Sequence, residues 1–170
     1  MSFDTRAFRD ALGAFPTGVA VVTAAPAADA ASPGASSDSH IGITVNSFTS
    51  VSLDPPLVLW CIDRRSRRYL AFAAGAGFTI SILGAGHREV STRLAQPGEH
   101  NLDGIPMVPT ELGPPALAEA LAVFECALES VQDGGDHAVL IGRVLRFARH
   151  DEAGAPLVYF KGKYGALAQT

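Results

Sequence analysis

The chain has 170 residues, 48% apolar and 18% charged, with 17 glycines and 11 prolines; that suits one domain over residues 1–170 with a real core and some apolar surface hidden in an oligomer. Thirteen basic against 17 acidic residues leave a formal charge of −4, so nothing draws the molecule as a whole to nucleic acid or anionic lipid. Cys61 and Cys126 lie far apart, and Asp4, Arg6, Arg9 and Asp10 fill the stretch where an export signal would be apolar; a disulfide framework, export and membrane insertion are set aside, and the cytoplasm is expected.

Phe8, Leu12 and Phe15 are spaced three to four apart, one face of a short helix stopped by Pro16-Thr17-Gly18. VAVVTA (19–24) reads as a strand, and the Ala-, Ser- and Pro-rich residues 26–40 as a mobile loop. IGITVNSFTSVS (41–52) alternates Ile41, Ile43 and Val45 with small or polar residues, the pattern of one half-buried strand ended by Asp54-Pro55-Pro56. LVLWCI (57–62) is apolar throughout, as in a central strand. DRRSRR (63–68) is a polar turn, YLAFAA (69–74) a short helix, FTISIL (78–83) a strand and HREVSTRLA (87–95) a helix, before an irregular stretch over 96–115. LAVFECALESV (121–131) and HAVLIGRVLRF (137–147) form a hairpin through DGGD (133–136), and LVYF (157–160) is a last strand before the tail KGKYGAL (161–167). Short strands, hairpin turns and few long helices predict a mainly β fold, a closed antiparallel barrel flanked by helices.

Familiar nucleotide and catalytic motifs are missing. Gly84-Ala85-Gly86-His87-Arg88-Glu89 follows a strand and opens a helix, but Glu89 stands where a Rossmann site needs a third small residue, and its charge would repel a pyrophosphate. Lys163 is followed by Tyr164, which no Walker loop allows. The five histidines lack zinc spacing and no Gly-x-Ser-x-Gly elbow occurs. Thr44, Asn46, Ser47, Thr49, Ser50 and Ser52 remain as polar groups along one strand. Pattern alone leaves open whether they are solvated edge-strand hydroxyls or a ligand site.

AFPTGVAVVTA (14–24), GITVNSFTSVSLDPPLVLWCID (42–63), FTISILGAGHREVSTRLA (78–95), GGDHAVLIGRV (134–144) and LVYFKGKYG (157–165) resemble, in order and over most of the chain, the short-chain flavin reductases with the FMN-binding split-barrel fold. The resemblance implies an antiparallel six-stranded, Greek-key-like split barrel; a homodimer; FMN or FAD reduced with NADH or NADPH by direct hydride transfer; and reduced flavin passed to a separate flavin-dependent monooxygenase. It places Thr44, Val45, Asn46 and Ser47 along the flavin ring, Cys61, Ile62, Ser66 and Arg67 around the rest of the flavin and its phosphate, and Arg88 and Arg93 as further phosphate candidates. His137 is expected beside flavin and nicotinamide, as the catalytic residue, and Lys161, Gly162 and Tyr164 on the nicotinamide nucleotide. Two rival readings share the fold: a flavin binder without turnover, and an oxidase acting on a bound small substrate.

Overall fold

The computed structural model describes residues 4–26, 40–98, 101–150 and 154–167; most of the loop expected over 26–40 lies outside them. Helix α1 (Thr5–Leu12) is started by Asp4, whose carboxylate accepts from the Arg6 and Ala7 amides at 2.9 and 3.2 Å, the usual relief for unpaired first-turn N–H groups. Phe8 and Leu12 share a face of α1 as the spacing predicts, whereas the helix stops before Phe15, and all three are exposed.

The main sheet is antiparallel and seven-stranded, in the order β3 (Ile41–Val45), β2 (Ala20–Ala24), β6 (Gly77–Ile82), β9 (Ala122–Gly134), β10 (His137–Arg149), β5 (Pro56–Asp63) and β4 (Thr49–Leu53). A second sheet joins β1 (Thr17–Gly18), β11 (Leu157–Phe160) and β12 (Lys163–Ala166), and a small ribbon pairs β7 (Met107–Val108) with β8 (Ala116–Leu117). The expected six strands become seven because the segment expected to be one strand, 41–52, is two. Val45 ends β3 at one margin of the sheet and Thr49 begins β4 at the other.

That break closes the barrel. In a flat sheet the two margins would be six strand spacings apart, roughly 29 Å, whereas the four Cα steps from Val45 to Thr49 span at most roughly 15 Å. The sheet must therefore curl until β3 approaches β5. Ser47, within the link, fixes the approach: its Oγ accepts from the Cys61 amide at 2.9 Å. The outer edge of β3 stays largely unpaired, its ladder running only to β2.

Inside the barrel Trp60 meets Phe72 and Phe78 edge-on at 5.0 and 5.6 Å, with Val22, Ile80, Ile62 and Leu140 around them. Strand β2 is buried on both faces, since Val19 and Val21 pack outward against Leu83, Leu94 and Leu157. This second cluster seats helix α3 (Arg88–Ala95) against β3. Gly42 permits the approach: a Cβ there would come within 2.8 Å of Leu102 and 3.2 Å of Leu94.

The β9/β10 hairpin forms as predicted and runs longer, to 13 residues a strand. The tail after 160 is not merely a turn. Lys161 and Gly162, at φ 48° and 76°, make a two-residue connection that returns the chain as β12, and such positive φ values at both central positions suit a tight hairpin. Helix α2 (Tyr69–Ala73) buries Ala71 and Phe72, the latter in the barrel core.

Candidate functional site

Residues alternate sides along a strand, so β3 turns Val45 into the core and Thr44 to the other face, while Asn46 is the first residue of the link beyond the strand. Two clefts are lined from this segment, one at Thr44 and one at Asn46. The first, of about 540 Å³, runs from Ile43 and Thr44 past Asp63, Ser66 and Arg67 to Pro97 and Gly98. The second, of about 730 Å³, begins at Asn46 and lies under α1, bounded by Phe15, Thr17, Tyr159 and Lys161. Both volumes fall within the range of small-molecule sites, roughly 300–1,000 Å³.

Hydroxyls hold the walls of the first cleft in place. Thr44 Oγ1 donates to the Ser91 carbonyl at 2.9 Å, and the Ser91 hydroxyl bonds the Tyr164 hydroxyl at 2.9 Å, which ties β3, α3 and β12 together. Having given its proton, Thr44 keeps lone pairs to accept from a ligand N–H. Ser66 Oγ accepts from the Arg68 amide at 3.2 Å, which leaves its own proton to donate. Val45 and Ile62 are buried in the core, so only their backbone groups can meet a ligand. Cys61, on the half-exposed face of β5, lines neither cleft, and burial pushes its thiol pKa up, which keeps it neutral and unsuited to act as a nucleophile.

The four arginines of the 64–68 turn part company. Arg64 pairs with Asp133 at 2.6 Å, and Arg65 clasps Asp63. Arg68 is buried and donates to the carbonyls of Gly42, Leu94 and Gln96 at 3.2, 2.8 and 2.7 Å. Arg67 is exposed at the first cleft and makes no ion pair or hydrogen bond among the described residues. A solvated guanidinium beside a donor hydroxyl is the chemistry that receives phosphate. Arg88 lies over the Tyr164 ring at 5.8 Å, whereas Arg93 donates to the carbonyl of Asp103, at 2.8 Å, and to Asn101. A phosphate would have to compete with those loop carbonyls for Arg93.

His137 opens β10 opposite Asp63, and its Nδ1 bonds the Asp136 carboxylate at 2.8 Å. Arg64 locks this corner by donating to the His137 carbonyl at 3.2 Å. The Arg65 guanidinium holds the Asp63 carboxyl below the usual carboxylate range, and the bond to His137 does the same for Asp136. Because folding lowers both, the clasp is intact above the unfolded carboxylate range, about pH 4. Acid that carries the pH through the lowered values undoes it. His137 lines neither cleft and reaches the first through Asp63; Lys161 and Gly162 line the second. Sequence reasoning singled out neither Arg9 and Asp10 of the second cleft nor Ser91, and it read Thr17 only as part of a helix stop. Strand β1 pairs Thr17 with Tyr159, a remote contact that no local pattern announces.

The structure thus presents a split barrel with an open strand edge, one cleft holding an uncommitted guanidinium beside a hydroxyl, and a second cleft that begins two residues further along the chain. The profile of the flavin reductase like domain matches residues 12–168, and the chain belongs to that family. It is 40% identical to the FMN reductase (NADH) SmoA of Agrobacterium fabrum over 98% of this chain and 88% of that protein. It is 35% identical to the reductase subunit HsaB of a flavin-dependent monooxygenase of Mycobacterium tuberculosis, over 96% and 83%. Some relatives are longer: the chain spans 49% of one from Rhizobium meliloti that is 41% identical. The solved NADH:FAD oxidoreductase SgcE6 of Streptomyces globisporus, in complex with NAD and FAD fragments, superposes with a TM-score of 0.86 at 32% identity, covering 97% of this chain and 93% of that one.

Proposed function

We propose that this chain reduces FMN or FAD with a nicotinamide nucleotide, NADH in the first instance, and delivers reduced flavin to a flavin-dependent monooxygenase. The observation that carries the reading is the pair of clefts lined from one segment, by Thr44 near the end of β3 and by Asn46 just beyond it. When bound, the nicotinamide supplies the hydride and the flavin accepts it, the remaining proton coming from water. The chain's own work is to bind and orient. The open edge of β3 with the Thr44 hydroxyl meets the polar rim of the ring, Ser66 and Arg67 hold the phosphate, and the second cleft positions the donor within roughly 3–3.5 Å of the acceptor. No protein nucleophile is required.

Anaerobic addition of NADH to the protein with FMN or FAD tests this directly: the flavin absorbance should bleach, and its persistence with every flavin and donor pair would sink the reading. His137, which lines neither cleft, is assigned to ordering the flavin and nicotinamide rings from its place opposite Asp63 of the first cleft. His137→Ala is expected to slow flavin reduction roughly tenfold while changing flavin affinity little; equal turnover in mutant and parent removes His137 from the mechanism.

A homodimer is part of the proposal. Leu53, Leu145 and Phe147 are 94%, 52% and 75% exposed. The β4/β5 and β5/β10 registers put all three beyond Leu57 at one end of the sheet, and an apolar patch of this kind marks an association surface. Leu53→Asp with Phe147→Asp is expected to halve the mass measured by light scattering. An unchanged mass would move the interface elsewhere. We place the protein in the cytoplasm, where the free thiols of Cys61 and Cys126 persist. Among the described residues no helix is long and apolar enough to cross a membrane.

A further inference from the structure

Tyr164 lines neither cleft, yet it reaches the walls of both. Its register partner across the β11/β12 hairpin is Tyr159, which bounds the second cleft, and the two rings meet edge-on at 5.3 Å. Its hydroxyl is bonded at 2.9 Å to that of Ser91, a residue of α3 with no exposed surface. The carbonyl of the same Ser91 accepts from Thr44 Oγ1 at 2.9 Å, and Thr44 lines the first cleft. One side chain thus touches a wall of the second cleft with its ring and, through a single residue of α3, meets the hydroxyl of the first.

Helix α3 grips Tyr164 from one face. Arg88 and Ser91 are three residues apart and so neighbours on the helix surface; the Arg88 guanidinium lies over the ring at 5.8 Å while Ser91 takes the hydroxyl. The ring also packs against the apolar cluster of Leu83, Leu94 and Leu157. Of the holds Tyr164 has on α3, only the hydroxyl pair is sharply directional. Apolar packing resists separation but permits small slides, whereas a buried hydrogen bond fixes a position and is costly to leave unmade. What it fixes here is Ser91, whose carbonyl sets the direction in which the Thr44 hydroxyl offers its lone pairs.

We infer that Tyr164 is a positioning residue for flavin reduction: joined to Ser91, it holds the Thr44 hydroxyl of the first cleft in register with the Tyr159 wall of the second. The inference rests on the reductase reading and concerns two residues that line neither cleft. Hydride transfer requires donor and acceptor to be held within roughly 3–3.5 Å. Slack between the two clefts therefore costs rate before it costs the affinity of either ligand.

Ser91→Ala and Tyr164→Phe test this, each removing one hydroxyl; alanine is a good helix former and phenylalanine keeps the ring. Flavin-loaded protein is mixed anaerobically with saturating NADH and the bleaching followed in time, while fluorescence titrations give the dissociation constants for flavin and NAD+. Each variant should reduce its flavin roughly 3- to 10-fold more slowly, with both dissociation constants little changed. The double variant should be no slower than the slower single one, since the two hydroxyls form one link. Reduction at the parent's rate in both single variants, whatever their melting temperatures, overturns the inference and leaves the pair a structural bond. Weaker NAD+ binding in Tyr164→Phe alone also overturns it, and makes Tyr164 a contact of the nucleotide. Failure of the reductase reading looks different, and takes the inference with it: the parent protein itself would bleach no flavin.

Discussion

Replacing Arg67 by alanine is expected to weaken FMN binding roughly 10- to 150-fold, the range for losing a hydrogen-bonded charge contact, with no change in the unfolding midpoint. The two halves of this expectation have one cause. Arg67 is the member of the 64–68 turn whose guanidinium is not already committed: Arg64 goes to Asp133, Arg65 to Asp63 and Arg68 to three carbonyls. Removing it takes nothing from the free protein and a full charge from the complex. Arg65→Ala is the control. Its guanidinium is already held by Asp63, so affinity should fall by only a few-fold, through the general field of the turn. Fluorescence titration at two salt concentrations separates the cases, because the Arg67 contribution should shrink as salt rises. An Arg67→Ala protein that binds FMN as the parent does would move the phosphate away from this turn.

The distribution of these arginines was only partly legible in the sequence. DRRSRR announces a cationic turn and the family resemblance singles out Ser66 and Arg67, but whether a guanidinium faces ligand, partner or core depends on contacts distant in sequence. Asp133 and Gln96 decide the fates of Arg64 and Arg68, and neither is visible in a local window. The same holds for the fold. Period-2 alternation places β3, β6 and the long hairpin, since burial of one face writes itself into the sequence, and an unbroken apolar run places β5. Alternation could not show that 41–52 breaks after Val45, because Asn46-Ser47, without Gly or Pro and between β-forming runs, is only a weak turn signal; the break is dictated by closure of the barrel and the bond from the Cys61 amide to Ser47. Strand β12 escaped notice because its turn places a lysine at positive φ, where glycine or asparagine is the usual mark. Among the candidate site residues, the structure gathers Thr44, Ser66 and Arg67 at one cleft and Asn46, Lys161 and Gly162 at the other. It commits Ser47 largely to the barrel seam and Arg93 to the 101–103 loop. The exposed face of α1 defeats a purely local reading in the opposite sense. Its apolar spacing is that of a helix packed on a core, but no residue of α1 is buried, and what that face serves has to be sought at the neighbouring cleft or in a second subunit.

Arg68→Met should be the most damaging change to the first cleft, lowering stability by about 3 kcal/mol and flavin affinity by more than the loss of stability alone would explain. Arg68 is 6% exposed, and its guanidinium bridges the β3 carbonyl of Gly42, the α3 carbonyl of Leu94 and the carbonyl of Gln96 just beyond that helix. A thioether fills the volume but donates nothing, so these carbonyls lose their partner at about 1–3 kcal/mol each, partly offset because a buried charge no longer has to be desolvated. The last turn of α3 also loses a cation favourably placed at its negative end. The consequence for binding is geometric. Ala95, Pro97 and Gly98 wall the first cleft opposite Ser66 and Arg67, and Arg68 is the strut between the two sides. Without it the cleft widens while both ligand-facing groups remain. Arg68→Lys should recover little, since an ammonium on a single stem cannot span carbonyls from β3 and α3 as a planar fork does. Urea unfolding gives the stability, and FMN titration well below the unfolding midpoint gives the affinity. A methionine variant within about 1 kcal/mol of the parent that binds FMN equally well would show that α3 holds its place through Leu94 and the apolar cluster beneath it, with no need of the strut.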